Sequence, residues 1–412
     1  MSKTYKKNIN EALGRDPVHP FPARMAPGIA LDILASEAKR IRVLDPMMGS
    51  GTVLAVAQAS GHSAIGIDID PLAVLLARVW TRAVDIKQVR RKAAEVLARA
   101  KDDFSSRRVG DAYPRSADAE TRRFIRYWFD DYARRQLTSL ACAIHGVRNE
   151  HVKDALWCAF SRLIITKQAG ASLAMDLSHS RPHKAFRRAP IKPFNKFLTA
   201  VEQVLKNCVC NKQPDRGPTT QVSLGDARQL PITNGTVDLV LTSPPYLNAI
   251  DYIRCSKFSL VWMGYTIREL AGIRSDSVGT ECGDREAHQA DDIREIISDL
   301  RLSPKLTARN EAVLAHYIDD MKRAVGEAAR VLSPGGRAVY VIGENTVRGT
   351  FIPTAKIITR VAERSGLTIE RRRARTLPAN RRYLPPPKIR VAPDSLDARM
   401  RREVILSFIK PE

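Results

Sequence analysis

The chain has 412 residues, 44% of them apolar, enough for a proper core in one large domain or two ordinary ones. Lys and Arg total 67 against 44 Asp and Glu, and the net charge of +23 implies a polyanionic partner and salt-sensitive binding. No apolar run reaches the ~18 residues of a membrane-spanning helix, and the opening MSKTYKKNINEALGRD lacks the apolar core of a secretory signal, so a cytoplasmic protein is expected. The six cysteines are scattered. Cys142 and Cys158 fall in apolar helical patterns, as buried thiols of a reducing compartment would. Cys208-Val-Cys210 has no C-x-x-C partner or nearby His, so no metal site is expected there.

Residues 1–18 read as a loose basic arm. In the following His19-Pro-Phe-Pro-Ala-Arg-Met-Ala-Pro27, three prolines shape the approach to a helix over 28–39. A strand over 41–44 then runs into Asp45-Pro46-Met-Met-Gly49-Ser50-Gly51-Thr52 and a helix over 53–60. The two glycines let the backbone turn tightly beside a ligand, and the helix start offers unpaired N–H groups. A second strand, 63–67, ends in Asp68-Ile-Asp70, where an acid is placed to bind ribose hydroxyls. The loop lacks the third glycine of the dinucleotide fingerprint and opens with an acid. It therefore suits an ammonium-bearing ligand better than a pyrophosphate, and S-adenosylmethionine better than NAD. The cofactor set drawn from these residues is Asp45, Pro46, Gly49, Ser50, Gly51, Thr52, Asp68 and Asp70.

After a helix over 72–80, residues 84–215 form an insert too long for a structureless loop. Its periodicity predicts helices over 86–104, 120–146, 151–167 and 194–209, with Trp128, Phe129, Trp157 and Phe160 as the insert's own core. Between the last two lies Ser178-His-Ser-Arg-Pro-His-Lys-Ala-Phe-Arg-Arg188, with Arg181, Lys184, Arg187, Arg188, two histidines and no acid. This is a candidate phosphate-contacting or base-reading loop, and the insert is a candidate target-recognition unit. A third strand, 222–224, ends in Gly225-Asp226-Ala227. A fourth, 238–242, stops at Ser243-Pro244-Pro245-Tyr246, whose two prolines stiffen the loop. A hydroxyl, a fixed carbonyl and an aromatic face within four residues suit a flat heterocycle with an exocyclic amino group. A helix is expected over 248–264 and a charged, mobile flap over 265–310. An amphipathic helix over 311–332 stops at Ser333-Pro-Gly-Gly336, before a strand over 336–342. A helix over 354–365 and strands over 368–375 and 403–409 complete seven strands. Arg371, Arg372, Arg373 and Arg375, with Asn380-Arg381-Arg382-Tyr383, make a second basic surface.

Taken together, DPMMGSGT (45–52), GIDIDP (66–71), GDARQLP (225–231), TSPPY (242–246) and the 19–27 segment resemble the class I S-adenosylmethionine-dependent methyltransferases. More narrowly, they resemble the DNA amino-methyltransferases whose SPPY variant is associated with N4 of cytosine. The resemblance implies a Rossmann-like, seven-stranded, mostly parallel sheet carrying the helical insert. The division is then 1–83 (arm and cofactor half), 84–215 (insert) and 216–412 (catalytic half with a basic C-terminal region). It implies that His19, Phe21 and Arg24 lie beside the methionine end of the cofactor, and that Asp226, with Ala227, accepts from its adenine amino group. Ser243 and the Pro244 carbonyl would bind the target amine, with Pro245 and Tyr246 completing the catalytic loop. The implied partner is duplex DNA with the target base flipped out, alongside a possible restriction or defence-system partner. The insert departs from the family's usual placement of a recognition domain. Methylation at cytosine C5 is excluded, because that chemistry needs a Pro-Cys nucleophile and the chain has none. N6-adenine methylation, an RNA or tRNA target and a non-catalytic nucleic-acid-binding protein stay open.

Overall fold

The computed structural model describes residues 9–21, 25–175, 177, 182–210, 218–247, 251–280, 291–300, 302, 306–347, 350–376 and 402–412. Seven strands form its main sheet: β1 (Arg42–Asp45), β2 (Ser63–Asp68), β3 (Thr220–Leu224), β4 (Val237–Thr242), β5 (Leu332–Gly343), β6 (Thr368–Thr376) and β7 (Arg402–Ile409). The order across the sheet is β6-β7-β5-β4-β1-β2-β3, with β7 antiparallel to both neighbours and every other pairing parallel. This is the class I methyltransferase architecture that the motifs imply. The central strands are apolar runs because both faces are covered: Val43, Leu44, Leu239, Val240 and Leu241 are at most 1% exposed. Chain order reverses direction at β1, which pairs with β2 on one side and β4 on the other. In such sheets the crevice at the carboxyl ends of those strands is where ligands bind.

One face is covered by α1 (Pro27–Leu34), α2 (Thr52–Ala59) and α3 (Pro71–Thr81). Next comes the insert, pinched at its base where Ala83–Val84 pairs in parallel with Val209–Cys210. It holds α4 (Ile86–Ser106), α5 (Ala119–Trp128), α6 (Asp131–His145), α7 (Glu150–Ile164) and α8 (Pro193–Leu205). The helix expected over 120–146 is two. Asp130 ends the first by capping the second, its Oδ1 accepting from the Tyr132 and Ala133 N–H groups at 3.0 and 2.9 Å. The insert's core is continuous with the rest of the chain: Trp157 packs inside the insert against His145 and Phe160, as expected, but the cluster does not stop there. Its Trp128, Phe129 and Phe160 pack edge-on or tilted against Phe258 and Trp262, which belong to α9 (Tyr252–Leu260) and the turn after it. Leu72, Leu76 and Trp80 of α3 join the same cluster.

Part of the stretch 265–310, where a mobile flap is expected, lies outside the described residues, and the described part is helical. It contains α10 (Ile267–Asp276) and α11 (Asp291–Asp299). A reciprocal capping box, Thr266 with Glu269, starts α10. The opposite face of the sheet is closed by α12 (Ala308–Val331) and α13 (Thr354–Arg364). α12 stops where expected, but β5 begins at once: Gly335 adopts φ 71° and the turn is bonded to the far end of β7 through Lys410. Among the described residues no helix is long and apolar enough to cross a membrane.

Phe258 is fully buried between the insert's aromatics and the helix that follows the SPPY loop. Phe258→Ala is expected to cost about 3–5 kcal/mol in denaturant unfolding, within one transition that reports insert and sheet alike. A variant in which the insert melts separately while the sheet keeps its stability would contradict the shared core.

Candidate active site

The site forms where β1, β2 and β4 end side by side. Asp45, the last residue of β1, is 3% exposed, and its Oδ1 accepts from the Met47 N–H at 3.2 Å and from the Thr242 hydroxyl at 2.7 Å. Thr242 is the last residue of β4, directly before SPPY. A single buried oxygen thus ties the glycine loop to the Pro-Pro loop. Gly49 and Gly51 have φ of 50° and 84°, which an L side chain would strain to adopt. A Cβ on Gly51 would also lie 2.9 Å from that of Ala77 on α3. Asp68, at the end of β2, holds the loop from the other side, with Oδ2 accepting from the Gly49 N–H at 2.7 Å. Phe21 is buried with its ring edge beside Gly49, stacked on Tyr252 at 6.0 Å between centroids.

Three carboxylates therefore crowd one poorly solvated corner. Burial pushes Asp45 and Asp70 up to about 7 and Asp68 up to about 6, and the charge of Asp68 raises its two neighbours further. A cation seated among them would restore their ionised forms. The buried Thr52 hydroxyl oxygen, at the start of α2, has no hydrogen-bond partner among the described residues. Crowded acids, a backbone cradle with no room for side chains and an unpartnered hydroxyl fit an adenosyl ligand with a cationic end. Asp45, Ser50, Thr52 and Asp68 line that cradle, and Pro46 is buried beneath it.

Other expected residues do different work. Asp70 is a helix cap: its Oδ1 accepts from the Leu72 N–H at 2.8 Å and its Oδ2 from the Ser256 hydroxyl at 2.6 Å, so it braces α3 against α9 rather than facing a ribose. Asp226 is clamped by Arg228, whose Nη2 lies 2.7 Å from its Oδ2 and whose Nη1 lies 2.5 Å from Asp320. Against the burial that would raise it, those bonds hold Asp226 below the usual carboxylate range. Its oxygens meet a guanidinium first, so an adenine amino group would share an acceptor already in use. Ala227 is buried beside it. His19 is 1% exposed and sits in a seam with the Ser161 and Ser259 hydroxyls (2.9 and 2.8 Å along the chain of bonds), joining insert to α9 instead of bordering the cofactor.

In the Pro-Pro loop, the Ser243 hydroxyl donates to the Val341 carbonyl of β5 at 3.1 Å. The same hydroxyl is in hydrogen-bond contact with Tyr246, and its oxygen keeps a lone pair for a further donor. Pro244 is buried and Pro245 half-buried. The Tyr246 hydroxyl lies 3.5 Å from Glu403 of β7, and burial, with that carboxylate's charge, raises the phenol well above its ordinary value. Glu403 is in turn held by Arg375 of β6 at 2.5 Å. Arg375 is therefore no part of a free basic surface; it anchors the acid behind Tyr246. Sequence reasoning missed Thr242, Glu403 and Arg375, and only the motif TSPPY hinted at the first. Lys184, Arg187 and Arg188 are exposed on the insert. Arg24, Arg181, Arg381 and Arg382 lie outside the described residues. Among the described residues no cluster of three His, Cys, Asp or Glu side chains could hold a metal.

No family model matches the chain. It is 24% identical over 376 residues to the Type II methyltransferase M.MvaI of Kocuria varians, covering 83% of this chain and 79% of that protein. With the Type II methyltransferase M.AvaI of Nostoc sp. it shares 23% over 384 residues, 80% of this chain and 74% of the relative. Among solved structures, geranyl diphosphate methyltransferase in complex with SAM aligns over 94% of this chain and 86% of its own, at 9% identity and a TM-score of 0.34. The sequence resemblance to Type II methyltransferases thus extends over most of the chain.

These acids bind protons more tightly than at their ordinary 3.8, so their burial favours folding at low pH and opposes it as pH rises through 6–7. A cationic ligand reverses the preference, since it needs them ionised. Calorimetric titration with S-adenosylmethionine should show affinity rising with pH through about 6–7, and Asp45→Asn should bind more weakly with a flatter profile. Affinity that ignores pH across that window would remove these acids from the ligand's surroundings.

Proposed function

We propose that the protein is a DNA methyltransferase that moves a methyl group from S-adenosylmethionine to the exocyclic N4 amino group of cytosine in DNA. The placement of two adjacent side chains carries this reading. Thr242 bonds Asp45 of the glycine loop and Ser243 bonds the Val341 carbonyl of β5, so a cofactor on the first loop meets a base held by the second.

When bound, the cofactor supplies a methyl group on a sulfonium, an electrophile that already carries its positive charge. The work left to the protein is mostly positioning. The target nitrogen is a poor nucleophile because its lone pair is delocalised into the ring. Ser243 Oγ, with its proton directed at Val341, and the Pro244 carbonyl accept the two N–H bonds of the amine. That favours a tetrahedral nitrogen whose lone pair is localised and aimed at the methyl carbon. With the amine so held by Ser243 and Pro244, the cofactor would supply the methyl group and leave as the neutral thioether, and the proton shed by the methylated amine would pass to solvent. Tyr246 offers its ring to the base, and the Glu403–Arg375 pair behind its hydroxyl fixes the ring's tilt. A base stacked inside a duplex cannot reach this loop, so the target is flipped out. Asp68 takes the ribose and the glycine loop takes the methionine end. The similarity to Type II methyltransferases supports DNA as the substrate, and SPPY supports cytosine.

The test is to incubate the protein with methyl-labelled cofactor and, separately, duplex DNA and total tRNA, and to identify the labelled nucleoside by mass. 4-Methylcytosine from DNA is the expected product. 6-Methyladenine would keep the site and change the base, and label confined to tRNA would overturn the substrate. Ser243→Ala should lower turnover by about 10²-fold or more while cofactor affinity is kept, in line with the loss of one oriented hydrogen bond to the reacting group.

A further inference from the structure

One surface of the insert has a composition that the site does not use. Helix α5, AETRRFIRYW, is amphipathic in an unusual sense. Its inner face is aromatic: Phe124 and Trp128 lie 5.2 and 5.0 Å from Phe258 of α9. Its outer face carries Arg123, Arg126 and Tyr127, all exposed, Tyr127 at 55%. The loop after α7 folds onto that same face. Leu173 donates to the Trp128 carbonyl at 2.8 Å, and its own carbonyl accepts from Ala185 and Phe186. Ala189 donates to the Asp130 carboxylate at 2.5 Å, in the break between α5 and α6. The loop so pinned sets the Lys184 ammonium 5.0 Å over the Tyr127 ring and leaves Arg187 and Arg188 exposed. Five cations thus share one face. None is in an ion pair among the described residues, although carboxylates hold many of the chain's other arginines.

From this we infer that the outer face of α5, together with loop 182–188, grips the phosphate backbone of duplex DNA. The inference rests on the reading of DNA as substrate, and it adds Arg123, Arg126 and Tyr127 to the contact surface. Unpaired arginines at helical spacing suit a row of phosphates, since guanidinium groups bond phosphate oxygens in pairs. Tyr127 keeps Lys184 extended by a cation–π contact and offers a flat face at the rim. The surface is not tethered by a linker. Phe124 and Trp128 seat it on the helix that follows the SPPY loop, so a duplex held there keeps a fixed distance from Ser243 and Tyr246.

The experiment is fluorescence anisotropy with a duplex oligonucleotide at salt concentrations between 50 and 200 mM. Wild type is compared with Arg123→Gln/Arg126→Gln and with Lys356→Gln/Arg360→Gln, a pair that removes the same charge from the exposed side of α13. The α5 pair should make the log–log salt slope shallower by about 0.9 per arginine and weaken binding throughout. The α13 pair should leave the slope as it is, and both should keep wild-type cofactor affinity. Equal changes in the two variants, or none in the α5 pair, would overturn the surface. If wild type methylates DNA and the α5 pair binds it unchanged, this surface alone fails. If wild type ignores duplex DNA and labels tRNA, the surface's partner and the DNA reading fail together.

Discussion

The hydrogen bond from Thr242 to Asp45 is the joint on which the rest of the site depends. β1 and β4 are neighbours in the sheet but far apart in the chain, and the register Leu44↔Val240 sets Thr242 one residue beyond the level of Asp45, within reach of its carboxylate. In the proposed reaction the loop after β1 takes the cofactor and the loop after β4 takes the target base. A buried donor and a buried acceptor joined at 2.7 Å keep the two loops in one geometry. Loss of the donor would leave a carboxylate oxygen short of a partner where water is scarce, a cost of about 1–3 kcal/mol. The surrounding acids make the same point electrostatically. Folding brings Asp45, Asp68 and Asp70 together at the expense of their ionised forms, and only a cation completes the arrangement.

Behind this joint the structure is layered so that the Pro-Pro loop, α9 and the insert are joined by packing. The Pro-Pro loop is backed by β5 through Ser243 and by β7 through Tyr246 and Glu403. The helix after it, α9, is wedged by Phe258 and Trp262 into the aromatic cluster of the insert. The net charge of +23 is then not spread idly. Where the fold needs charge for structure, arginines are paired, as Arg228 is with Asp226 and Asp320. On the outer face of the insert, Arg123, Arg126, Lys184, Arg187 and Arg188 stand exposed and in no ion pair among the described residues.

Much of this was legible in the sequence, for identifiable reasons. Doubly covered parallel strands are continuous apolar runs, so the central strands β1, β2, β4 and β5 could be placed from their apolar residues alone. The glycines of 49–51 and the prolines of 244–245 mark turns that few other residues can make. The failures have physical reasons too. The break at Phe129–Asp130 was hidden because apolar periodicity continues through it, while an Asx cap acts on its neighbours' N–H groups. The T-x-x-E pattern at 266–269 is a readable start signal, outweighed by the charge of the stretch around it. Asp70 and Asp226 stand where ligand-binding acids belong, but their partners are decided by packing: Ser256 is 186 residues away from the first. Arg375 lies in a run of arginines whose members point to alternate faces of a strand. One of them meets Glu403 across the sheet, and no local pattern announces it.

The most direct measurement is made on Thr242→Val, which keeps the shape of the side chain and removes its donor. Methyl transfer in a single turnover, at saturating cofactor and DNA and at a pH high enough to ionise Asp45, isolates the alignment of the two loops from their separate affinities. If the hydrogen bond sets that alignment, the rate falls by about tenfold or more while both dissociation constants stay near wild type, as expected when reacting groups are displaced by a fraction of an ångström. A wild-type rate in the variant would contradict the coupling of the loops through Asp45.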